Sequence, residues 1–402
     1  MGWKPNRTRR TWLASCASTV AGVSVLAGCT SDSSETNEDE PENDDALSAD
    51  TWPMYGVDPQ NTGYHPTATG PTSEDVTAKL LLESNGTVSD SPAVIGDTLY
   101  TAADNQLYAI NTETGENEWR SDFPDIRGAY PAISDNRIYV GMNEGIATVN
   151  RNNGNLIWQN SVGISNVCPV VDSGAVIASE NLLLYQFDID NGEETIIHNL
   201  RDDNLGRPYT SIPAYDDGSV YFAGEHVLYS VNAKNGSVEW TFENPEGKSM
   251  GECNPATDGE NIYISGADKR LYTIDTEDGT QKWSIKTKSE TPQSPSLANG
   301  ILYVVASDGV LSGGGSWLLA IDTKKEEVIW EDSLQSNINY KPVISNSSVY
   351  HANSRQVLAY DRETGDRRWK IDEFNEPIAG PPTISDDHAF ISLKSGEIYL
   401  IT

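Results

Sequence analysis

Cysteine and histidine are scarce in this sequence. Four cysteines (16, 29, 168 and 253) and five histidines are spread over 402 residues. A disulfide-built scaffold is excluded. His65, His198, His226, His351 and His388 are too far apart to show metal-ligand spacing, so no metal site is expected. There is no CxxC, HExxH or Gly-rich phosphate loop, and no catalytic residue is assigned. Cations are few as well: 27 Lys and Arg stand against 60 Asp and Glu, a net charge of −33. That excludes a nucleic-acid binder that works by neutralising phosphates. Phe (6) and Met (4) are rare, whereas Tyr (18) and Trp (10) are frequent, a balance suited to half-exposed strands. Apolar residues make up 37%, enough for a packed core and too many for a wholly disordered chain.

The start of the chain reads as an export address. Lys4, Arg7, Arg9 and Arg10 precede an uncharged stretch from Ala14 to Ala27, too short to span a bilayer of ~30 Å. The stretch around Arg9 and Arg10 resembles the twin-arginine class of signal, and Leu26 to Cys29 (LAGC) resembles a lipoprotein box. The resemblance implies cleavage after residue 28 and a lipid on Cys29, placing the mature protein on the extracellular face of the cell membrane. Residues 29–50 then form an acidic, disordered tether. The acid surplus continues through the rest of the chain. In this the sequence resembles exported lipoproteins of halophilic archaea, whose carboxylates are screened by salt.

Within a propeller domain expected over residues 51–402, one unit recurs from residue 91 to the end. Its core strand appears as LYAIN (107–111), IATVN (146–150), LYQFD (184–188), LYSVN (228–232), LYTID (271–275), LLAID (318–322), VLAYD (357–361) and IYLIT (398–402). Four residues beyond the last position of the first seven come Gly115, Gly154, Gly192, Gly236, Gly279, Glu326 and Gly365. Eight beyond come Trp119, Trp158, Ile196, Trp240, Trp283, Trp330 and Trp369. A proline opens each unit: Pro92, Pro131, Pro169, Pro213, Pro255, Pro295, Pro342 and Pro382. Each unit reads as four short strands with Gly-, Asn- and Asp-rich turns. Because the core strand is apolar on both faces, both must be covered by neighbours. The expected fold is all-β, an eight-bladed propeller of four-stranded blades. The last unit has three strands, and the orphan segment Ala78 to Glu83 is expected to complete it, removing the free edge. The tryptophans are read as wedges docking one blade on the next, and the Asn/Asp ending each core strand as a turn cap.

The pattern LYAID-xxx-G-xxx-W resembles the repeat of PQQ-type propellers over residues 79–402, and Trp52 to Gly63 looks like the lead-in of such proteins. Members include quinoprotein dehydrogenases and the propeller lipoprotein of the bacterial outer-membrane assembly machine. The resemblance implies the fold and leaves two functions. A PQQ-dependent dehydrogenase would need a Ca²⁺ beside the quinone, an Asp base and often adjacent cysteines. No cysteines are adjacent here, and the unit lacks the insertions that wall such pockets. The favoured reading is a non-catalytic scaffold without cofactor that binds a cell-surface protein, peptide or glycan. Variable inter-blade loops, the longest near 197–212 and 241–254, share one face with the Gly-rich segment 307–317 of the sixth unit, which carries Trp317. Residues preceding the prolines are expected at the channel rim: Arg127, Tyr130, Cys168, Arg207, Tyr209, Glu252, Tyr340 and Lys341. Asn85, Asn235 and Asn346 match the N-glycosylation pattern, the latter two on turns expected to be exposed. Cys168 and Cys253 are expected to be free thiols.

Overall fold

The computed structural model describes residues 48–402, apart from 87, 124–125, 127–129, 163–167, 173, 181–182, 200–210, 251–252, 289–290, 308–314, 335–339 and 373. The proposed signal, Cys29 and most of the tether lie outside the described residues, as do Arg127, Arg207, Tyr209 and Glu252.

Eight antiparallel sheets follow one another in chain order, each a blade of an eight-bladed propeller. Blade 1 is typical: Ala93–Ile95 innermost, then Thr98–Ala103, Gln106–Asn111 and Asn117–Asp122 outermost. The proline before each innermost strand has no N–H to leave unpaired, which suits a strand that begins at the channel. The Asn or Asp ending each core strand caps the following turn. Asn111 Oδ1 accepts from Thr114 N at 2.9 Å, Asp188 Oδ1 from Asp190 N at 3.0 Å, and Asp361 Oδ1 from Thr364 N at 3.0 Å.

Ring closure uses both ends of the described chain. Ala78–Glu83 pairs antiparallel with Glu397–Ile401, Ala78 opposite Ile401 and Glu83 opposite Glu397, and becomes the outer strand of blade 8. A hydrophobic cluster spanning blades 7, 8 and 1 seals this join, with Leu81, Leu99, Ile110, Tyr350, Trp369 and Ile398 buried in it.

A second closing device was not legible as such. Residues 49–70 run once around the channel, giving backbone hydrogen bonds to the inner strands in blade order. Ala49 O accepts from Asp386 N of blade 8 at 2.5 Å, and Thr51–Trp52 pairs with Ala93–Ile95 of blade 1. Pro53 O accepts from Ile133 N, Pro59 O from Tyr215 N, Gln60 O from Thr257 N, Thr62 O from Leu297 N and Gly63 O from Ile344 N, all at 2.8–3.0 Å. The circuit ends where Thr69 N and Gly70 N donate back to Asp386 O at 2.8 and 2.7 Å. Blade 3 is met by packing instead: Met54 joins the cluster of Val171, Val176 and Phe187. So tight a circuit needs left-handed backbone at Gly56, Asn61, Gly63 and Gly70, and even at the β-branched Val57 (φ 69°). His65 is fully buried here. Its Nε2 bonds the Thr51 carbonyl at 2.6 Å and its Nδ1 accepts from Ala68 N at 3.1 Å, so it is a neutral core histidine.

The tryptophans reach from one blade to the next. The indole N–H donates to a carbonyl in the following blade's turn: Trp119 to Arg151 at 2.8 Å, Trp158 to Ile189 at 3.0 Å, Trp240 to Thr276 at 2.9 Å and Trp330 to Arg362 at 3.2 Å. Trp369 donates to Pro71 at 2.8 Å, on the segment leading into the closing strand. The turn glycine of the receiving blade is the socket. A Cβ on Gly154, Gly192, Gly279 or Gly365 would stand 2.3–2.6 Å from the ring it receives. Trp283 is half-buried, and the equivalent turn ahead of it carries Glu326 in place of glycine.

Candidate functional site: the channel mouth

Antiparallel blades put the inter-blade connections and the loops joining second to third strands on one face. The residues before each proline enter the channel from that face. Among the described residues, blade 6 has long second and third strands there. Ile301–Ser307 and Ser316–Asp322 extend past the blade, and Thr291–Pro292 adds a short extra strand to them. Trp317, at the foot of the Gly-rich loop, is a packed residue: it lies half-buried against the cluster of Leu302, Val304 and Leu319, and Lys288 Nζ stands 5.6 Å from its ring centroid. The stretch after Val238–Glu243, expected as a variable loop, is folded down. Met250 N donates to Glu225 O at 2.7 Å, and Met250 and Cys253 are buried between blades 4 and 5. Asn346 also departs from expectation. It is only half-exposed, because its N–H donates to Ala68 O of the lead-in at 3.0 Å, whereas Asn235 is exposed.

The centre of the mouth is filled from below. Tyr55 rises from the lead-in to the level of the pre-proline residues. Its hydroxyl accepts from Asn254 Nδ2 at 2.9 Å, and its ring meets Tyr130 edge-on, centroids 4.9 Å apart at 69°. Lys341 requires a correction. It was expected as an accessible rim cation, but its side chain is turned down into the channel and the residue is 5% exposed. Its ammonium donates to the Asn61 carbonyl and lies 5.6 Å from the Tyr55 ring centroid. It faces Asp58, which accepts from Thr62 N at 2.8 Å. Burial lowers the Lys341 pKa and raises that of Asp58, and each charge partly offsets the other's shift. Lys341 is a strut holding the lead-in in place, and Asn61 completes the joint. Its side-chain amide, fully buried, donates to Pro213 O at 3.1 Å and Pro255 O at 3.3 Å.

Around this plug remain half-exposed groups: Asp90, Tyr130, Cys168, Asn254, Gln293 and Tyr340. Tyr340 donates to Ile378 O at 2.7 Å, and burial pushes its hydroxyl up to about 12. Burial also pushes the Cys168 thiol up to about 12, so it is held protonated and is no activated nucleophile. Asp90 is lifted to about 6 by burial, against a weaker opposing pull from Lys394. Cys168 and Cys253 are both unbridged. Of the expected rim, then, Tyr130, Cys168 and Tyr340 do gather at the axis. Tyr55, Asp58, Asn61 and Asp90 were missed. Asp90 carries the same offset from Pro92 as Tyr340 from Pro342, and that spacing could have found it.

A narrow cleft at the axis is lined by Trp52, Tyr55, Ser91, Lys341, Val343 and Pro381. It is so narrow that it admits about one water. Among the described residues no three His, Cys, Asp or Glu side chains are grouped to hold a metal ion.

Comparison with known proteins supplies the family. Residues 67–204 and 199–402 match the family described as outer membrane protein assembly factor BamB. A protein of that name from Shewanella oneidensis is 21% identical over 321 residues, covering 73% of this chain and 79% of the relative. Among solved structures, BamB from Moraxella catarrhalis has a TM-score of 0.62 at 13% identity, over 82% of this chain and 98% of that one. Quinohemoprotein alcohol dehydrogenase from Comamonas testosteroni has a TM-score of 0.68 at 14% identity, over 87% of this chain and 80% of that one. These structural likenesses carry the fold alone. Taken with the eight-bladed fold, the family match over most of the chain places this protein in the BamB family of outer membrane assembly factors.

Proposed function

We propose that this protein is a non-catalytic scaffold of the cell surface, anchored by a lipid on Cys29, that binds a protein partner through its inter-blade face. The filled axis carries the reading. Tyr55, Lys341 and Asn61 fill the axis below the rim, leaving an aromatic and polar floor suited to contact with a surface. The family name, an assembly factor, points the same way. Arg127, Arg207, Tyr209 and Glu252 are proposed as further contacts around the floor, Tyr and Arg being frequent in binding hot spots. We further propose export by the twin-arginine route and a halophilic archaeal source, on the signal and the acid surplus.

The test is cross-linking on cells at native salt. Charge reversal at Arg127 and Arg207 is expected to change the set of captured partners, and reversal of Asp135 and Asp217 on the opposite face to leave it intact. The converse result would assign binding to the wrong face. Mass spectrometry of the mature N-terminus checks the lipid, and an unmodified Cys29 refutes it. The alternative, a PQQ-dependent dehydrogenase, shares the fold with quinohemoprotein and methanol dehydrogenases. It requires a near-ultraviolet quinone band that stays with the protein through gel filtration after incubation with PQQ and Ca²⁺. The scaffold reading expects none.

A further inference from the structure

The turn between the third and fourth strands of blade 4 ends in an asparagine whose amide nitrogen the fold does not use. Asn235 and Gly236 form its tip, tied by Gly236 N to Asn232 O at 2.8 Å and by Asn232 N to Ser237 O at 2.9 Å. Gly236 is left-handed (φ 70°) and sits against the Ile197 carbonyl of blade 3, so the tip is fixed while Asn235 is exposed. Asn235 Oδ1 accepts from Ser237 N at 2.9 Å and from Ser237 Oγ at 2.7 Å. Its Nδ2 has no hydrogen-bond partner among the described residues. Three other blades show what the turn itself requires. Asn153, Asn191 and Asp278 hold the same position, and their Oδ1 atoms accept from Asn155 N at 3.0 Å, Glu193 N at 2.8 Å and Thr280 N at 2.9 Å. In blade 5 the hydroxyl bond recurs too, from Thr280 Oγ1 to Asp278 Oδ1 at 2.7 Å. An aspartate therefore serves the turn fully: one side-chain oxygen closes it, and an amide nitrogen is spare.

Among these turns only that of blade 4 joins a carboxamide to a hydroxyl two residues on, Asn235-Gly236-Ser237, the acceptor pattern for N-linked glycans. Asn346-Ser347-Ser348 has the same pattern in a covered setting. Asn346 N donates to Ala68 O at 3.0 Å, its Nδ2 reaches Thr67 O at 3.5 Å, and Ser348 is fully buried. Thr87, the last residue of the Asn85 pattern, lies outside the described residues. We propose that Asn235 is a glycosylation site of the folded protein, taking its glycan from a polyprenyl-phosphate-linked donor. The bond formed joins Asn235 Nδ2 to the anomeric carbon of the sugar. The bond broken joins that carbon to a phosphate oxygen, which leaves with the lipid, and the Nδ2 proton passes to a base of the transferase. Nothing is oxidised or reduced. The twin-arginine route proposed above exports folded chains, so a transferase outside the cell can reach only an asparagine that the fold leaves outside. Asn235 meets that condition and Asn346 does not. The turn lies on the face opposite the inter-blade loops, so a glycan there leaves the proposed contact face uncovered. This inference rests on the export proposed above and not on the partner.

The test is peptide mass spectrometry of the full chain purified from the membranes of the cells that make it. The tryptic peptide covering residues 235–248 is expected to carry whole sugar residues on most copies. Peptides holding Asn153, Asn191 or Asn346 are expected to carry none. Ser237→Ala should abolish the modification and Ser237→Thr should retain it. Asn235→Asp should abolish it with the turn intact, because Asp278 closes the same turn in blade 5. A bare Asn235, sugar retained in Ser237→Ala, or equal modification of Asn346 would each overturn the site. The scaffold reading fails separately. A lipid on Cys29 together with a bare Asn235 removes the glycan and leaves the anchored scaffold standing. If Asn235→Asp loses both its sugar and the partners cross-linked on cells, Asn235 remains the acceptor and the contact face is the wrong one.

Discussion

Two kinds of seam join the blades. Six blades carry the tryptophan, and in all six the outer strand has a β-bulge at one place, between the third and fourth residues of the core strand. Ala109 faces Trp119 while Ile110 faces Asn117, and Thr148, Ser230, Thr273, Ala320 and Ala359 repeat the arrangement. Blades 3 and 8 have no tryptophan. Their bulge is displaced to lie between the first and second core residues: Leu184 faces His198 and Tyr185 faces Ile196, while Ile398 faces Leu82 and Tyr399 faces Leu80. The bulged residue itself, Ile197 or Leu81, is then the buried wedge against the next blade. A ring can thus be docked by an indole reaching a carbonyl or by an aliphatic residue turned in by a bulge. The receiving glycine is retained in both cases, but at Gly236 it meets the Ile197 carbonyl, where a Cβ would stand 1.9 Å away.

The greatest effect is expected at the seam between blades 8 and 1, which is held by added strands and lacks the repeat tryptophan. Deleting residues 51–85 removes both the lead-in circuit and the closing strand. It should give an open edge and an aggregated product by size-exclusion chromatography. A soluble monomer melting at the wild-type temperature would show that the circuit contributes nothing.

Substitution of the sockets sharpens the contrast. Gly192 and Gly115 share a left-handed backbone (φ 72° and 75°), so alanine strains both by ~1–2 kcal/mol. Only at Gly192 would the new Cβ meet an indole, Trp158, at 2.3 Å, whereas at Gly115 the nearest atom is at 3.6 Å. Gly192→Ala should therefore lose on the order of 2 kcal/mol more than Gly115→Ala in denaturant unfolding. Equal losses would mean that backbone conformation alone selects glycine here.

The wedges themselves come next. Trp158→Ala should cost roughly 3–5 kcal/mol, and Ile197→Ala roughly 2–4. Ile196→Ala should stay within about 0.5 kcal/mol, because Ile196 is 53% exposed. If Ile196 proves the costlier of the two isoleucines, the displaced bulge is not what docks blade 3.

That pair shows where sequence reading reaches its limit. Blade number, turn caps and closing strand were legible because period and residue type repeat together. The wedge of blade 3 was not. Ile196 occupies the tryptophan column, and nothing in its side chain signals that the pairing has slipped and turned Ile197 inward. The lead-in circuit hides for another reason: its contacts are backbone hydrogen bonds, which any residue can supply. At the channel mouth the pre-proline offset correctly gathered Tyr130, Cys168 and Tyr340. It could not say that Lys341 would point down to meet Asp58.

The smallest effect belongs again to the seam of blades 8 and 1, through Asp90. Its folded pKa is raised to about 6 from an ordinary 3.8, first by burial. Between those values the folded state holds a proton that the unfolded state has lost. Stability from this group is full at low pH, declines as pH rises from about 4 to 6, and leaves a net penalty above 6. Asn cannot ionise, so Asp90→Asn should melt higher than wild type at pH 7–8, by on the order of 1 kcal/mol given the partial exposure. The two should converge near pH 4. Asp361 provides the opposite sign. Arg368 holds it down at about 2, so its contribution is present at neutral pH and is lost as pH falls through that value. Parallel melting curves for wild type and Asp90→Asn from pH 4 to 8 would show that Asp90 is solvated as an ordinary surface acid. A gap that opens with rising pH is what a partly buried carboxylate raised by desolvation gives.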